Sequence, residues 1–231
     1  MMEKTAMESE TMSGKRESKV KVLLVEDHPI FRDHLAQLIK QELGMTICGQ
    51  ADNVQHAKKL IEETHPDIAL VDITLEGASG LDLIKDCKAR GIDLKILVIS
   101  MHDEDLYAER VLRAGARGYI TKNRASADVV DAIRCVLRGE VYLSGHVASR
   151  LLDLVTGKRR DSTGVDSLAD RELEVFSMLG RGMGTREIAA ALNLAETTVD
   201  TYRTRIKDKL GVRSATELYL RAGEWVREQG T

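Results

Sequence analysis

The chain predicts two folds in series: an α/β domain with a doubly wound, five-stranded parallel sheet, then an all-α, four-helix domain built on a helix-turn-helix. Three observations predict this. Short aliphatic runs alternate with amphipathic stretches from Lys19 to Gly139. Strand-like runs stop after Gly139. A charged, glycine-flanked segment, Gly157–Gly164 (GKRRDSTG), separates the halves as a linker.

The strands are expected at Val20–Val25, Thr46–Gly49, Ile68–Val71, Lys95–Ser100 and Gly118–Thr121. Their aliphatic, β-branched character suits strands buried on both faces. Between them, Phe31, Leu35, Leu38 and Ile39 recur at helical spacing, so Pro29–Gln41 is a helix with Pro29 in its first turn. Val54–Thr64, Leu81–Arg90, Asp105–Ala114 and a helix carrying Val129, Ile133 and Val136 complete five βα units. Val147–Val155 reads as a further helix. Helices then follow at Ser167–Leu179, Thr185–Leu192, Thr197–Leu210 and Ser214–Arg227. The organisation is thus a polar, disordered tail over 1–18, an α/β domain over 19–139, a helical linker over 140–166 and a helical domain over 167–231.

Composition excludes several classes. With 43% hydrophobic and 31% charged residues, the 231-residue chain is globular rather than disordered. Its net charge of −3 gives no global basic field, though two domains can carry opposite local charge. Cys48, Cys87 and Cys135 are odd in number and far apart, which suits a reducing cytoplasm rather than a disulfide framework. The cysteines and six histidines form no zinc spacing. The longest apolar runs are too short to span a membrane, and Met1–Ser18 lacks the apolar core of a secretory signal. A membrane partner is not expected.

Chemistry in such a sheet gathers at the carboxyl ends of the strands. The first strand ends in Glu26-Asp27, the third in Asp72, the fourth in Ser100 and the fifth in Thr121-Lys122. Converging carboxylates repel one another unless a cation sits among them, and an oxygen-rich edge suits Mg2+ better than zinc. Lys122 offers a point charge for a phosphate, and the Ser100 hydroxyl can donate to a phosphate oxygen. Together these groups make an aspartyl-phosphate site with one carboxylate as nucleophile. A lone Asp after a strand is usually a turn residue and a lone Lys usually just solvated. Here the acid pair, acid, hydroxyl and lysine occupy strand ends one, three, four and five in order.

The stretches VLLVEDHPIFRDHLAQLI, PDIALVDITLEGASGLDLI and ILVISMHDEDLYAERVLRAGARGYITKN resemble the receiver domain of bacterial response regulators across Lys19–Gly139. The resemblance implies a flavodoxin-like fold, with Asp72 as phosphoacceptor and Mg2+ as cofactor. Glu26, Asp27, Asp72 and the backbone carbonyl of Ile73 would hold the ion. Ser100 and Lys122 would contact the phosphoryl group, and Tyr119 would be the aromatic switch that moves inward on activation. One departure stands out: Glu76 replaces the family's usual proline four residues beyond the phosphoacceptor, which bears on loop rigidity rather than on Asp72.

In the second domain, Thr185–Leu192, a turn at Asn193-Leu194-Ala195 and Thr197–Leu210 form a helix-turn-helix, with Asn193 suited to the left-handed conformation that ends the first helix. On the second helix, Val199, Ile206 and Leu210 share a core-facing side. Thr197, Thr201, Thr204 and Arg205 lie opposite, and Tyr202, Arg203, Lys207 and Lys209 flank them. From Arg203 to Arg213 five basic residues face one acid, Asp208, a local phosphate footprint that the net charge conceals. A basic helix face is more often merely solvated. However, the sequence LADRELEVFSMLGRGMGTREIAAALNLAETTVDTYRTRIKDKLGVRSATEL resembles the DNA-binding domain of the NarL/LuxR class over its full length. That resemblance puts the Thr197–Leu210 helix in the major groove of double-stranded DNA. The expected DNA-contacting residues are Thr197, Thr198, Thr201, Tyr202, Thr204, Arg205, Lys207 and Lys209. Departures fall at the caps, where Ala169 and Ala195 replace Thr and Ser, and at Thr197 and Tyr202, which replace Lys and His. Ser167, with Asp170 three residues on, is expected to recap the first helix a turn early.

The combined reading is a two-component transcription regulator, a phosphoprotein activated when a sensor histidine kinase phosphorylates Asp72. It is not an enzyme beyond slow self-dephosphorylation. A magnesium-dependent phosphatase would need a second acid/base carboxylate beside the nucleophile, and Thr74 stands two positions on. The alternative is a phosphorylation-independent DNA binder whose receiver is an interaction module. Leu218, Tyr219 and Ala222 on the last helix either close the domain core or, as the resemblance also implies and as is expected here, pair two copies on DNA, with RNA polymerase a further partner. The unphosphorylated receiver is expected to mask the recognition helix or hold it away from a partner.

Overall fold

The computed structural model describes residues 19–75, 78–102, 104–155 and 164–229. The tail expected over 1–18, Glu76 and residues 157–163 of the linker lie outside the described residues.

The first domain contains β1 (Val20–Val25), α1 (Pro29–Lys40), β2 (Met45–Ala51), α2 (Val54–Thr64), β3 (Ile68–Val71), a short antiparallel hairpin of β4 (Thr74–Leu75) and β5 (Ala78–Ser79), α3 (Gly80–Ala89), β6 (Lys95–Ser100), α4 (Glu104–Ala114), β7 (Gly118–Thr121) and α5 (Lys122–Leu137). The main sheet is parallel in the order β2-β1-β3-β6-β7. Strand alternation divides its core in two. Val22, Leu24, Ile68, Leu70, Leu97 and Ile99 pack with α1 and α5. Leu23, Val25, Ala69, Val71, Ile96 and Val98 pack with α2, α3 and α4. Burial on both faces explains why these strands read as continuous apolar runs. The β4–β5 hairpin escaped the sequence pattern because two-residue strands carry no periodicity.

Pairing with the sheet continues past α5. Tyr119 N–H donates to the Tyr142 carbonyl at 2.9 Å, and Tyr142 N–H donates to the Arg117 carbonyl at 3.1 Å. The buried Glu104 carboxylate accepts the Ser144 amide at 2.7 Å just before α6 (Gly145–Val155).

The second domain contains α7 (Asp170–Gly180), α8 (Thr185–Ala191), α9 (Glu196–Leu210) and α10 (Ala215–Gln229) around Leu173, Phe176, Leu179, Ile188, Val199, Ile206, Leu218 and Ala222. Asn193 takes φ of 52°, ending the helix-turn-helix's first helix as its residue type suggests. Gly180 lets α7 and α10 cross closely: a β-carbon there would sit 2.4 Å from the Ala222 carbonyl oxygen. Ser167 does not recap α7. It closes a 3-10 turn (Val165–Ser167) with its hydroxyl on the Gly164 carbonyl. At Ala169, the cap keeps one half of its reciprocal bonding, because Glu172 accepts the Ala169 amide at 2.7 Å.

The α3–α4 side of the sheet and the helical domain share one apolar cluster. Polar contacts reinforce it. Arg110 of α4 donates to the Leu168 and Val165 carbonyls at 2.8 and 3.1 Å, which end-cap the turn before α7. Lys85 of α3 pairs with Asp170 at 2.9 Å. Arg171 donates to the Leu75 carbonyl at 3.2 Å.

Candidate functional site

The strand ends converge as the topology requires. Asp72 follows β3 and is 3% exposed; Lys122, the first residue of α5, donates to Asp72 Oδ2 at 2.8 Å and lies 2.7 Å from Glu26 Oε2. The Phe31 ring of α1 supports the same ammonium at 4.8 Å. Burial is the larger influence on Asp72 and pushes its pKa up to about 6, against the pull of Lys122; Glu26 adds to the rise. Thr74 N–H donates to Asp72 Oδ1 at 3.1 Å. Ser100 is fully buried and its hydroxyl accepts the His102 amide at 3.2 Å.

Glu26, Asp27, His28 and Asp72 each bring one ligand atom within 4.8 Å of the others. Asp27 Oδ1 is buried without a hydrogen-bond donor. His28 Nδ1 is 2.7 Å away but out of line for a hydrogen bond, so the orphaned oxygen is the better description. An orphaned carboxylate oxygen among other carboxylates fits a hard divalent cation. The Ile73 carbonyl, also expected in this set, accepts the Gly80 amide at 2.8 Å. Gly80 itself presses on the site: a β-carbon there would fall 1.9 Å from the Asp72 carbonyl oxygen. His28 was not among the residues expected from the sequence.

Tyr119, expected to turn inward on activation, already lies inside at 1% exposure, its hydroxyl donating to the His102 carbonyl at 2.9 Å.

On α9, Val199, Ile206 and Leu210 are buried and Thr197, Thr201, Thr204 and Arg205 are exposed, as the helical wheel requires. Thr198 and Lys207 are half-buried on the flanks. Thr201 and Thr204 hydroxyls donate to carbonyls of Thr197 and Asp200 within the helix, which leaves their oxygens able to accept from a base. Tyr202 packs against the core. Arg203 bonds Thr185 and Asp200 and covers the Tyr219 ring. Lys209, expected on a phosphate, pairs instead with the buried Glu172 at 2.6 Å. Of the five basic residues, then, Arg203 and Lys209 are engaged within the domain.

Comparison with known proteins fixes the family. Residues 22–134 match the response regulator receiver domain, and residues 166–222 match the luxR family of bacterial regulatory proteins. The response regulator GacA of Pseudomonas aeruginosa is 34% identical over 203 residues, covering 88% of this chain and 95% of that protein. The chain belongs to the LuxR-type response regulators. The virulence regulator BvgA of Bordetella pertussis is 32% identical over 86% of this regulator and 94% of its own length. A LuxR-family response regulator structure from Aurantimonas aligns with a TM-score of 0.55 at 32% identity, over 60% of this regulator and 99% of that chain. The Salmonella RcsB structure bound to a promoter shares the fold at a TM-score of 0.58 and 22% identity, over 89% and 98%. The regulator is accordingly a two-component, DNA-binding transcription regulator.

One sequence expectation about this response regulator is corrected and a second is narrowed. The stripe expected to pair two copies is core: Leu218 and Ala222 are fully buried, and Tyr219 packs inward with its hydroxyl toward the Met183 carbonyl. A four-helix domain this small needs those side chains to close itself. Of the two ways the receiver was expected to restrain α9, direct masking is not the arrangement among the described residues, and holding α9 away from a partner is the one left. The receiver's polar contacts fall on α7 and the turn before it, and the polar face of α9 stays exposed. No described helix is long and apolar enough to cross a membrane.

Proposed function

We propose that this response regulator is switched by phosphorylation of Asp72, with a sensor histidine kinase or a small phosphodonor as the source. The observation that carries the reading is the buried Lys122 ammonium bridging Asp72 and Glu26 beside the orphaned oxygen of Asp27. In the step, Asp72 Oδ attacks phosphorus; the bond from phosphorus to the donor's imidazole nitrogen or acyl oxygen breaks, and its electron pair leaves with the donor. Lys122 balances the carboxylate before attack and the phosphoryl oxygens after it. Ser100 leaves the His102 amide and donates to a phosphoryl oxygen. Glu26, Asp27 and Asp72 would hold Mg2+, which supplies charge neutralisation on the transferring group.

The readout is binding of double-stranded DNA by α9 in the major groove. Thr197, Thr201, Thr204 and Arg205 face the bases, and Thr198 and Lys207 face the backbone. One recognition helix reads few base pairs, so a homodimer on two half-sites supplies the rest. The regulator acts in the cytoplasm, hydrolyses its own acyl phosphate only slowly and turns over no external substrate. Intact-protein mass spectrometry after treatment with acetyl phosphate and Mg2+ tests the reading. The wild-type chain is expected to gain one phosphoryl group and Asp72→Asn none; full labelling of that variant would remove Asp72 from the role.

A further inference from the structure

Glu174 projects from α7 of the DNA-binding domain onto the loops of the receiver's acidic site. Its carboxylate is 4% exposed. Oε1 lies 2.7 Å from His102 Nε2 and accepts the Thr74 hydroxyl at 3.3 Å. Oε2 accepts Arg171 at 2.7 Å. Thr74 Oγ1 and His102 Nε2 are themselves 2.8 Å apart. A carboxylate this buried is costly unless its donors are in place, so the three groups are held where they are.

Two of those groups border the reacting atoms. Thr74 is two residues beyond Asp72 and donates its amide to Asp72 Oδ1. His102 is two residues beyond Ser100, donates its amide to Ser100 Oγ and accepts the Tyr119 hydroxyl on its carbonyl. Its ring stacks on Tyr107 at 4.8 Å. A plain interface ion pair would account for the burial of Glu174 alone. It would not require that its partners be the residues holding the phosphoacceptor carboxylate and the Ser100 hydroxyl. Arg110 and Lys85 join the domains through contacts away from Thr74 and His102.

We propose that Glu174 is a positioning residue of the phosphorylation site, supplied by the DNA-binding domain. Through Thr74 and His102 it holds both site loops in the arrangement of the unmodified protein. A phosphoryl group on Asp72 draws Ser100 off the His102 amide and brings negative charge toward the Glu174 carboxylate. Docking of α7 and phosphorylation of Asp72 therefore oppose each other, and by linkage whatever releases α7 favours phosphorylation. The inference rests on Asp72 being the phosphoacceptor.

The test uses the full chain with acetyl phosphate and Mg2+, following the phosphorylated fraction by mass spectrometry. Glu174→Gln keeps the hydrogen-bond geometry without the charge; Glu174→Ala removes both. The rate is expected to rise from wild type to Gln to Ala, by roughly 2- to 30-fold for Ala, the range found for coupling residues. Hydrogen exchange supplies the readout that a merely structural residue would not order in this way. Amides of Asp170–Gly180 should exchange faster in wild type once beryllofluoride is added, and be fast in Glu174→Ala without it. Trp225, packed on Phe176 at 5.5 Å, reports whether the helical domain stays folded. If its emission shifts in Glu174→Ala, His102→Ala removes the same contact from the receiver side and decides. Equal or slower phosphorylation in the variants overturns the proposal. A wild-type chain that neither takes a phosphoryl group nor responds to beryllofluoride overturns the phosphoacceptor reading instead.

Discussion

Lys122 Nζ and Asp72 Oδ2 lie 2.8 Å apart, with each side chain less than a tenth exposed. Removing one member of such a pair leaves an uncompensated charge, here two carboxylates, Asp72 and Glu26. Lys122→Ala is therefore expected to lose about 3 kcal/mol of stability and phosphorylation with it. Millimolar Mg2+ should restore part of the stability, because the cation replaces the ammonium between the carboxylates. Urea unfolding with and without Mg2+ measures both effects; a variant as stable as wild type without the ion would contradict this account.

The raised pKa of Asp72 gives a pH dependence of definite sign. Its folded value, about 6, lies above the ordinary 3.8. Protonation therefore favours the folded state, and this contribution is complete below 3.8 and lost as pH rises to about 6. Relative to wild type, Asp72→Asn should gain roughly 2–3 kcal/mol from about pH 4 to about pH 7 in the absence of divalent cations. Glu174 has the opposite sign. Burial opposes its ionisation, but the hydrogen bond and charge of His102, with Arg171, hold its pKa below the usual 4.5. Its contribution is present above 4.5 and disappears as pH falls through the lowered value. A parallel pH response for Asp72→Asn and Glu174→Gln would refute these assignments.

Arg205 and Lys209 should separate in DNA binding. Arg205 is exposed on the groove-facing side, so Arg205→Ala should change preference at one base position by about 1–3 kcal/mol. Lys207→Ala should weaken all sequences alike and lower the salt slope by about 1. Lys209→Ala should barely change the slope, because that ammonium neutralises Glu172. Fluorescence anisotropy across a salt series distinguishes the three; a full unit of slope lost with Lys209 would show that it leaves Glu172 for the DNA.

Gly180→Ala tests the α7–α10 crossing. The added carbon would collide with the Ala222 carbonyl and the Val226 side chain, at 2.4 and 2.6 Å. The helices must part, at a cost of about 1–3 kcal/mol. Trp225 emission should shift to longer wavelength and DNA affinity should fall, while Mg2+ binding by the receiver is unchanged. An unaltered melting temperature would mean that the crossing relaxes freely.

The strands were legible because burial on both faces leaves uninterrupted apolar runs, and the meeting of Asp72, Glu26 and Lys122 was legible because strand ends of a parallel sheet converge. Helix α9 could be drawn on a wheel, since Val199, Ile206 and Leu210 alternate regularly with exposed threonines. What escaped depends on contacts between distant segments. Nothing local to Glu174 or His102 signals that the two meet across a domain boundary. Leu218 and Ala222 read from the sequence as a pairing stripe because periodicity shows which residues share a face, but not whether a neighbouring helix covers it. Lys209 reads from the sequence as a phosphate contact because its partner Glu172 lies in another helix.

The strand pairing at Tyr142 also changes where the two halves can be separated. Its backbone is bonded to Arg117 and Tyr119, so the sheet's edge is completed by residues beyond Gly139. A fragment cut at Gly139 would bare the β7 edge and invite intermolecular strand addition. It would also leave the buried Glu104 carboxylate without the Ser144 amide that it accepts. Grafting this sensor half onto another effector should therefore place the junction after Val155, so that the segment sealing the sheet travels with it.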